Sequence, residues 1–320
     1  MNLLLTGGTG FFGRSLLRLL HDWVSDCCPT ARVTILTRSP EEFTNRYPEF
    51  NNLPWLDLHA GDILLPKSLP QTGRFSHVIH AAADSTLGPK LTPLQRYCQI
   101  VDGTRHLLDF AVTHNIPRFL LTSSGGVYGP QPQGMEQMPE DYNGMPDPLH
   151  AHNAYSIAKR CAEHLCALYQ DRHGLQTVVA RCFAFVGRDL PLDVHFAIGN
   201  FIRDALFRDE ITVAGDGTAV RTYLDQRDLA VWLTTLMEKG QGGRAYNVGS
   251  DQAITIADLA YQVRDLIAPN KPVRILGKAE GNGVRSRYVP DISRAKQELG
   301  LNVTIPLTEA IRATAEAVQA

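Results

Sequence analysis

Gly7, Gly10 and Gly13 stand at G-x-x-G-x-x-G spacing in Gly7-Gly8-Thr9-Gly10-Phe11-Phe12-Gly13. An apolar run, Leu3–Thr6, precedes them and an amphipathic stretch, Phe12–Trp23, follows. The run reads as a strand, and Leu16, Leu17, Leu19 and Leu20 give the following stretch the apolar stripe of a helix. Glycines in the connecting turn permit positive φ and let backbone N–H groups come close to a ligand. The helix N-terminus behind them adds partial positive charge. Strand, glycine turn and helix together predict a cradle for the pyrophosphate of a dinucleotide. A plain strand–helix turn needs fewer glycines.

The rest of the first half repeats that rhythm. Arg32–Thr37, His77–Ala81, Arg118–Thr122 and Thr177–Cys182 read as strands, with helices around Leu94–His114 and Ala154–Arg172. Alternating helices and continuously apolar strands predict an α/β fold, a Rossmann-type doubly wound parallel sheet. Past Arg181 the pattern changes. Helices are expected at Phe196–Phe207, Arg227–Glu238, Thr255–Leu266, Ser293–Gly300 and Leu307–Val318, with strands at Ile211–Val213, Ala245–Val248 and Val273–Leu276. This part reads as a smaller, mixed α/β C-terminal substrate lobe that shares chain with the sheet. The expected division gives residues 1–182, plus about 222–250, to the NAD(P)-binding domain, and about 183–221 and 251–320 to the lobe.

Charge narrows the partners. The 320 residues carry 31 basic and 33 acidic side chains, a net −2, so no strong field draws the chain to nucleic acid or an anionic membrane. No apolar run approaches the ~20 residues of a membrane-spanning helix, and no secretory signal is read at the N-terminus. Cys27, Cys28, Cys98, Cys161, Cys166 and Cys182 are scattered, without metal spacing. Reduced thiols, no metal and a cytoplasmic location are the expectation.

Two clusters carry chemistry. Tyr155 and Lys159 form Y-x-x-x-K on an expected helix, which stacks both side chains on one face. An adjacent ammonium favours phenolate over phenol, so Tyr155 becomes able to move a proton near neutral pH. Ser123 and Ser124 lie just past the fourth strand, where ligands of such sheets bind, and a serine there can hydrogen-bond a reacting oxygen. The second strand ends at Thr37-Arg38-Ser39, where an acidic residue would suit the NAD ribose. Arg38 instead suits a 2′-phosphate, a modest lean to NADP, though a solvated surface arginine reads nearly as well.

These elements resemble, in order, the NAD-dependent epimerase/dehydratase family of extended short-chain dehydrogenase/reductases. The likeness rests on the glycine motif, His80-Ala81-Ala82-Ala83, Ser123-Ser124-x-x-Val127-Tyr128-Gly129 and Y-x-x-x-K. It continues through Glu163, Gly215-Asp216-Gly217-Thr218, Arg221, Asp228-Leu229-Ala230, Tyr246-Asn247-Val248-Gly249-Ser250, Tyr288 and Asp291-Ile292-Ser293. The resemblance implies an NAD(P)-dependent enzyme acting on a nucleotide-diphosphate sugar, as a homodimer through the helices around 94–114 and 154–172. It implies that Gly7, Gly10, Phe11, Phe12 and Gly13 hold the pyrophosphate, that Asp62 and Ile63 flank the adenine, and that Ala81, Ala82 and Ala83 line the cofactor. Tyr155 would be the acid/base, Lys159 its partner on the nicotinamide ribose, and Ser124 the hydroxyl that orients substrate. Arg221 would hold the diphosphate, a role suited to a guanidinium fork, with Arg285 or Arg287 assisting.

Departures from the family pattern bear on the reaction. Family 4,6-dehydratases carry Asp-Glu after the serine/threonine, and the sugar-nucleotide decarboxylases usually a glutamate; here stand Gly125-Gly126. That favours 4-epimerisation or 4-keto reduction, with dehydration or decarboxylation as the alternative. Ala184 replaces the family's substrate-contacting asparagine, and Asp102 departs from its N-x-x-G-T. His150, His152, His195 and Cys182 lie near the expected pocket and read as packing or surface residues. A non-catalytic dinucleotide-sensing or RNA-binding protein is the remaining reading, and retention of Y-x-x-x-K argues against it.

Overall fold

The computed structural model describes residues 1–26, 29–83, 91–194, 196–278 and 286–319. Cys27, Cys28, His195 and Arg285 lie outside the described residues.

The first half runs β1 (Asn2–Thr6), α1 (Phe11–Asp26), β2 (Arg32–Thr37), α2 (Pro40–Arg46), β3 (Leu56–Ala60) and β4 (His77–His80). Then come α3 (Pro93–Thr113), β5 (Arg118–Ser124), α4 (Ala154–His173) and β6 (Gln176–Cys182). The second half has β7 (Phe185–Val186), α5 (Ala197–Phe207), β8 (Ile211–Val213), β9 (Val220–Arg221), β10 (Leu224–Asp225), α6 (Gln226–Lys239) and β11 (Arg244–Val248). It ends with β12 (Ile254–Thr255), α7 (Ile256–Ile267), β13 (Val273–Ile275), α8 (Ser293–Leu299) and α9 (Leu307–Gln319).

Seven strands form one parallel sheet in the order β11-β6-β5-β4-β1-β2-β3. The chain builds outward from β1 to β3, then crosses to β4 on the other side of β1. That reversal opens a crevice at the carboxyl ends of β1 and β4, where ligands of open α/β sheets bind.

Both faces of the sheet are dry, because alternate residues of each strand meet different layers. In β1, Leu3 and Leu5 point into the core beneath α1 and α6, while Leu4 points into the core beneath α3 and α4. All three are fully buried, worth roughly 2 kcal/mol each relative to exposure. The first core continues without a break into α5, α7 and α9, so the C-terminal elements share their apolar interior with the sheet.

The two-residue strands β7, β9, β10 and β12 were not expected from the sequence, nor were two longer elements, β3 and α2. β3 is an edge strand, Leu-Asp-Leu-His-Ala, without a continuous apolar run. α2 has seven residues and buries only Phe43. Helix ends otherwise fall close to the expected ones, and α3 begins with a full capping box between Thr92 and Gln95.

Asp189 fastens the glycine turn to the later chain. Its carboxylate accepts from Arg14 Nε at 3.0 Å, Arg18 at 3.2 Å and Gln226 Nε2 at 3.0 Å. Arg14 also donates to the carbonyls of Thr9 and Asp189. Burial opposes the Asp189 charge, but the hydrogen bond from Arg18 and the charges of both arginines hold its pKa below the usual carboxylate value. The stability it contributes is therefore fully present above that ordinary value and is lost as pH falls through the lower folded one. Asp189→Ala leaves the Arg14 guanidinium buried without its counter-ion and is expected to cost about 3 kcal/mol in urea unfolding at neutral pH. A change within error would show that the surrounding hydrogen bonds suffice.

Candidate active site

The site is assembled at the carboxyl edge of the sheet. Gly7 follows β1 at φ +73°, a left-handed conformation, and a Cβ there would lie 2.5 Å from the Ala81 carbonyl carbon. A Cβ on Gly13 would lie 2.2 Å from Gly8 Cα, so α1 sits directly against the turn. The first amides of a helix have no intrahelical partners, and the first turn of α1 holds no acidic residue to compete for them. The turn thus offers N–H donors and a backbone-close surface suited to a pyrophosphate.

Ala81, Ala82 and Ala83 follow β4 beside that turn and are partly exposed. His80 anchors them from below: Nδ1 lies 2.8 Å from Thr6 Oγ1 and Nε2 3.2 Å from Thr104 Oγ1. Burial, helped by the charge of Lys159, drives the His80 pKa down to about 3, so the imidazole is neutral. Phe11 is buried and Phe12 partly so, their rings 5.9 Å apart. Arg38 is exposed one residue past β2. Past β3, Asp62 caps the Leu64 amide at 2.9 Å, and the Ile63 carbonyl lies 2.9 Å from His106 Nδ1.

Tyr155 and Lys159 lie one turn apart on α4. Lys159 is 3% exposed, donates to the Thr122 carbonyl at 2.7 Å and sits 6.0 Å from the centre of the Tyr155 ring. Burial lowers its pKa to about 8, against smaller opposing effects of Cys182, Glu163 and Cys166. Ser124 ends β5, and its Oγ accepts from the Gly126 amide at 3.1 Å.

A brace beneath these groups was not read from the sequence. Ser123 Oγ donates to Glu163, which receives Arg181 Nε at 3.1 Å and NH2 at 2.8 Å. Arg181 also donates to Tyr128 Oη at 2.9 Å, and Tyr128 donates to Asn247 Oδ1 at 2.8 Å. Asn247 donates in turn to the Met138 and Asp291 carbonyls. The brace links α4, β6 and β11 to the segment after residue 286.

The expected substrate arginines divide. Arg221 donates to the Val220 and Ser286 carbonyls at 2.8 and 3.0 Å and has no carboxylate in ion-pair reach among the described residues. Its charge is felt at the buried phenol of Tyr288. Arg287 sends NH2 to the Glu136 carbonyl at 3.2 Å, and its Nε is buried without a partner. His150 stacks on His152 and pairs with Asp147 at 3.2 Å, while Cys182 is buried and its pKa is raised by burial to about 12. Among the described residues no group of three or more His, Cys, Asp or Glu is placed to hold a metal ion, and no helix is long and apolar enough to cross a membrane.

Comparison with known proteins bears on this arrangement. Residues 3–249 match the model of the NAD dependent epimerase/dehydratase family. UDP-glucuronic acid decarboxylase 3 of Arabidopsis thaliana is 30% identical over 311 residues, 97% of this chain and 87% of the relative. UDP-glucuronic acid decarboxylase 1 of Danio rerio is 28% identical over 98% of this chain and 71% of the relative. Among solved structures, a dTDP-glucose 4,6-dehydratase of Bacillus anthracis in complex with NAD superposes with a TM-score of 0.83 at 20% identity, covering 100% of this chain and 96% of that one. A UDP-glucuronic acid 4-epimerase of Bacillus cereus, also 0.83, is 22% identical and covers 100% and 99%.

Proposed function

The chain belongs to the NAD-dependent epimerase/dehydratase family, and on that premise we propose that it oxidises a nucleotide-diphosphate sugar at C4, with decarboxylation of UDP-glucuronate as the overall reaction. The observation that carries the chemistry is Lys159, dry and charged near neutral pH, 6.0 Å from the Tyr155 ring.

The cofactor is NAD(P)(H), which when bound takes a hydride from the sugar carbon and returns it. The glycine turn and the bare N-terminus of α1 fit its pyrophosphate. Gly7, Gly10, Phe11, Phe12 and Gly13 hold that group, Asp62 and Ile63 the adenine, and Ala81–Ala83 the wall beside it. Lys159 lowers the Tyr155 pKa, Tyr155 takes the C4 hydroxyl proton, and Ser124 donates to the same oxygen. Arg221 holds the diphosphate, with Arg287 or Arg285 assisting. Residues 1–182, plus about 222–250, form the cofactor domain in this reading, and about 183–221 with 251–320 the substrate lobe. Dimerisation through α3 and α4 belongs to it as well; Leu94 and Leu168 are exposed there.

Decarboxylation is compatible with Gly125-Gly126. A 4-keto group on glucuronate is β to the carboxylate, so the carbonyl itself accepts the electrons when CO2 leaves. The enolate oxygen then lies between Tyr155 and Ser124, C5 takes a proton from solvent in place of the lost CO2, and no acidic side chain is needed to break the bond. The relatives' extended likeness favours this reading over the 4-epimerase or 4-keto reductase that the missing acid suggests.

Incubation with UDP-glucuronate and cofactor, followed by mass spectrometry, tests it. A UDP-pentose with stoichiometric CO2 is expected, and a product of unchanged mass without CO2 would transfer the assignment to epimerisation. In the same assay Arg38 predicts tighter NADP than NAD binding, with the gap closed in Arg38→Ala. Tighter NAD binding by the native chain defeats that lean.

A further inference from the structure

Gly126 is one of the two glycines that stand in place of the family's acids, and the room beside it is filled from another element. A Cβ on Gly126 would lie 2.6 Å from Ser156 Oγ and 3.3 Å from Ser124 Oγ. The two serine hydroxyls therefore converge on the point where a side chain at 126 would begin. Ser156 follows Tyr155 in the first turn of α4 and is partly exposed. Its placement is fixed from both sides of the glycine. Lys159 donates to the Thr122 carbonyl at 2.7 Å, and Arg160 donates to the Val127 and Gly144 carbonyls at 3.0 and 2.7 Å. A serine in a helix often turns back to bond a carbonyl of the preceding turn. Ser156 does not: among the described residues its hydroxyl has no hydrogen-bond partner.

We propose that Ser156 is a catalytic residue that carries a solvent proton to C5 of the sugar once CO2 has left. This rests on the reading that Tyr155 and Ser124 meet the C4 oxygen of a glucuronate. A hydroxyl that shares a point with Ser124, one residue from Tyr155, reaches a neighbour of C4. In the decarboxylation that neighbour is C5, the carbon left short of a proton. When the C5–C6 bond breaks, its electron pair moves into the enolate. That pair then takes the Ser156 proton, the Oγ–H bond breaking as the C5–H bond forms. Oγ recovers a proton from a water molecule, and the resulting hydroxide passes to bulk solvent. A serine suits such a relay because its hydroxyl donates and accepts at once. Ser124 is committed to the C4 oxygen and the Gly126 amide, and the Glu163 carboxylate to Ser123 and Arg181. A side chain at 126 would push the Ser156 hydroxyl aside, so glycine there belongs to the device.

The test is single-turnover kinetics on UDP-glucuronate with the cofactor-loaded protein, following reduced cofactor by absorbance and CO2 by trapping. The reduced form should rise as C4 is oxidised and fall as the product is reduced. Ser156→Ala should leave the rise unchanged and slow the fall about 100-fold, the low end of what one positioned proton donor contributes. Alanine is the better helix former, so the fold should hold. Gly126→Ala, whose new carbon meets Ser156 Oγ, should reproduce the slow fall. In the Ser156→Ala background it should cost less than about twofold, because that oxygen is gone and Ser156 Cβ lies at an ordinary 3.5 Å. Equal slowing of rise and fall in Ser156→Ala, or a fall at the native rate, overturns the proposal. A native protein that releases no CO2 brings down the decarboxylation reading and this proposal with it. CO2 release from the native protein, with an unslowed fall in Ser156→Ala, brings down the Ser156 role alone.

Discussion

Tyr155→Phe is expected to lower kcat about 10³-fold, within the range that one positioned acid/base contributes, while NAD(H) affinity stays within a few fold. The substitution removes one oxygen and keeps the ring beside Lys159. Without the phenol no group on α4 accepts the C4 proton: Lys159 is committed to the Thr122 carbonyl, and Ser124 is a neutral hydroxyl far too basic as an alkoxide to replace it. The pH profile gives a second readout. Burial holds Lys159 at about 8, so it is an ammonium below that value and a neutral amine above it. The native enzyme should therefore lose kcat/KM as pH rises through about 8, because Tyr155 then loses the charge that favours its phenolate. Single-turnover kinetics and fluorescence titration with NADH measure both quantities. Near-native kcat in Tyr155→Phe would assign the proton to another group.

Gly7→Ala should weaken NAD(H) binding by more than about 100-fold and destabilise the fold by about 3 kcal/mol. Two costs add. The left-handed backbone, φ +73°, disfavours any Cβ by about 1–2 kcal/mol. The new carbon would also lie 2.5 Å from the Ala81 carbonyl group and 2.7 Å from the Ala82 amide, and backbone atoms cannot swing away as a flexible side chain can. The turn must then move off β4, at the place proposed above for the pyrophosphate. Isothermal titration with NADH and thermal unfolding check the two effects. Full affinity in the variant would mean that the phosphates lie elsewhere.

What the sequence disclosed about this site was local. The glycine turn is contained in seven residues, and Tyr155 and Lys159 are one helical turn apart, so spacing alone implied their shared face. The parallel strands under α3 and α4 were legible because they are apolar on both faces. β3 escaped because an edge strand needs no such run, and α2 because seven residues carry too little pattern. The meeting of Gly125, Phe183 and Tyr288 was beyond reach for another reason. It depends on the register of residues 286–291 between β9 and Met138, which no local spacing encodes. Gly125-Gly126 read only as a missing acid, and the structure shows what fills the gap. The orphaned Nε of Arg287 was equally hidden, since it follows from which way one extended residue turns.

The strap of residues 286–291 also ties catalysis to the order of synthesis. Chains emerge from the ribosome N-terminal end first and domains fold as they appear. The glycine turn, Tyr155 and Lys159 all lie in the first 159 residues, yet the segment that packs against Gly125 leaves the ribosome more than a hundred residues later. The core beneath the glycine turn runs on into α6, α7 and α9, so neither the cofactor cradle nor the proton-transfer centre is complete until nearly the whole chain has emerged.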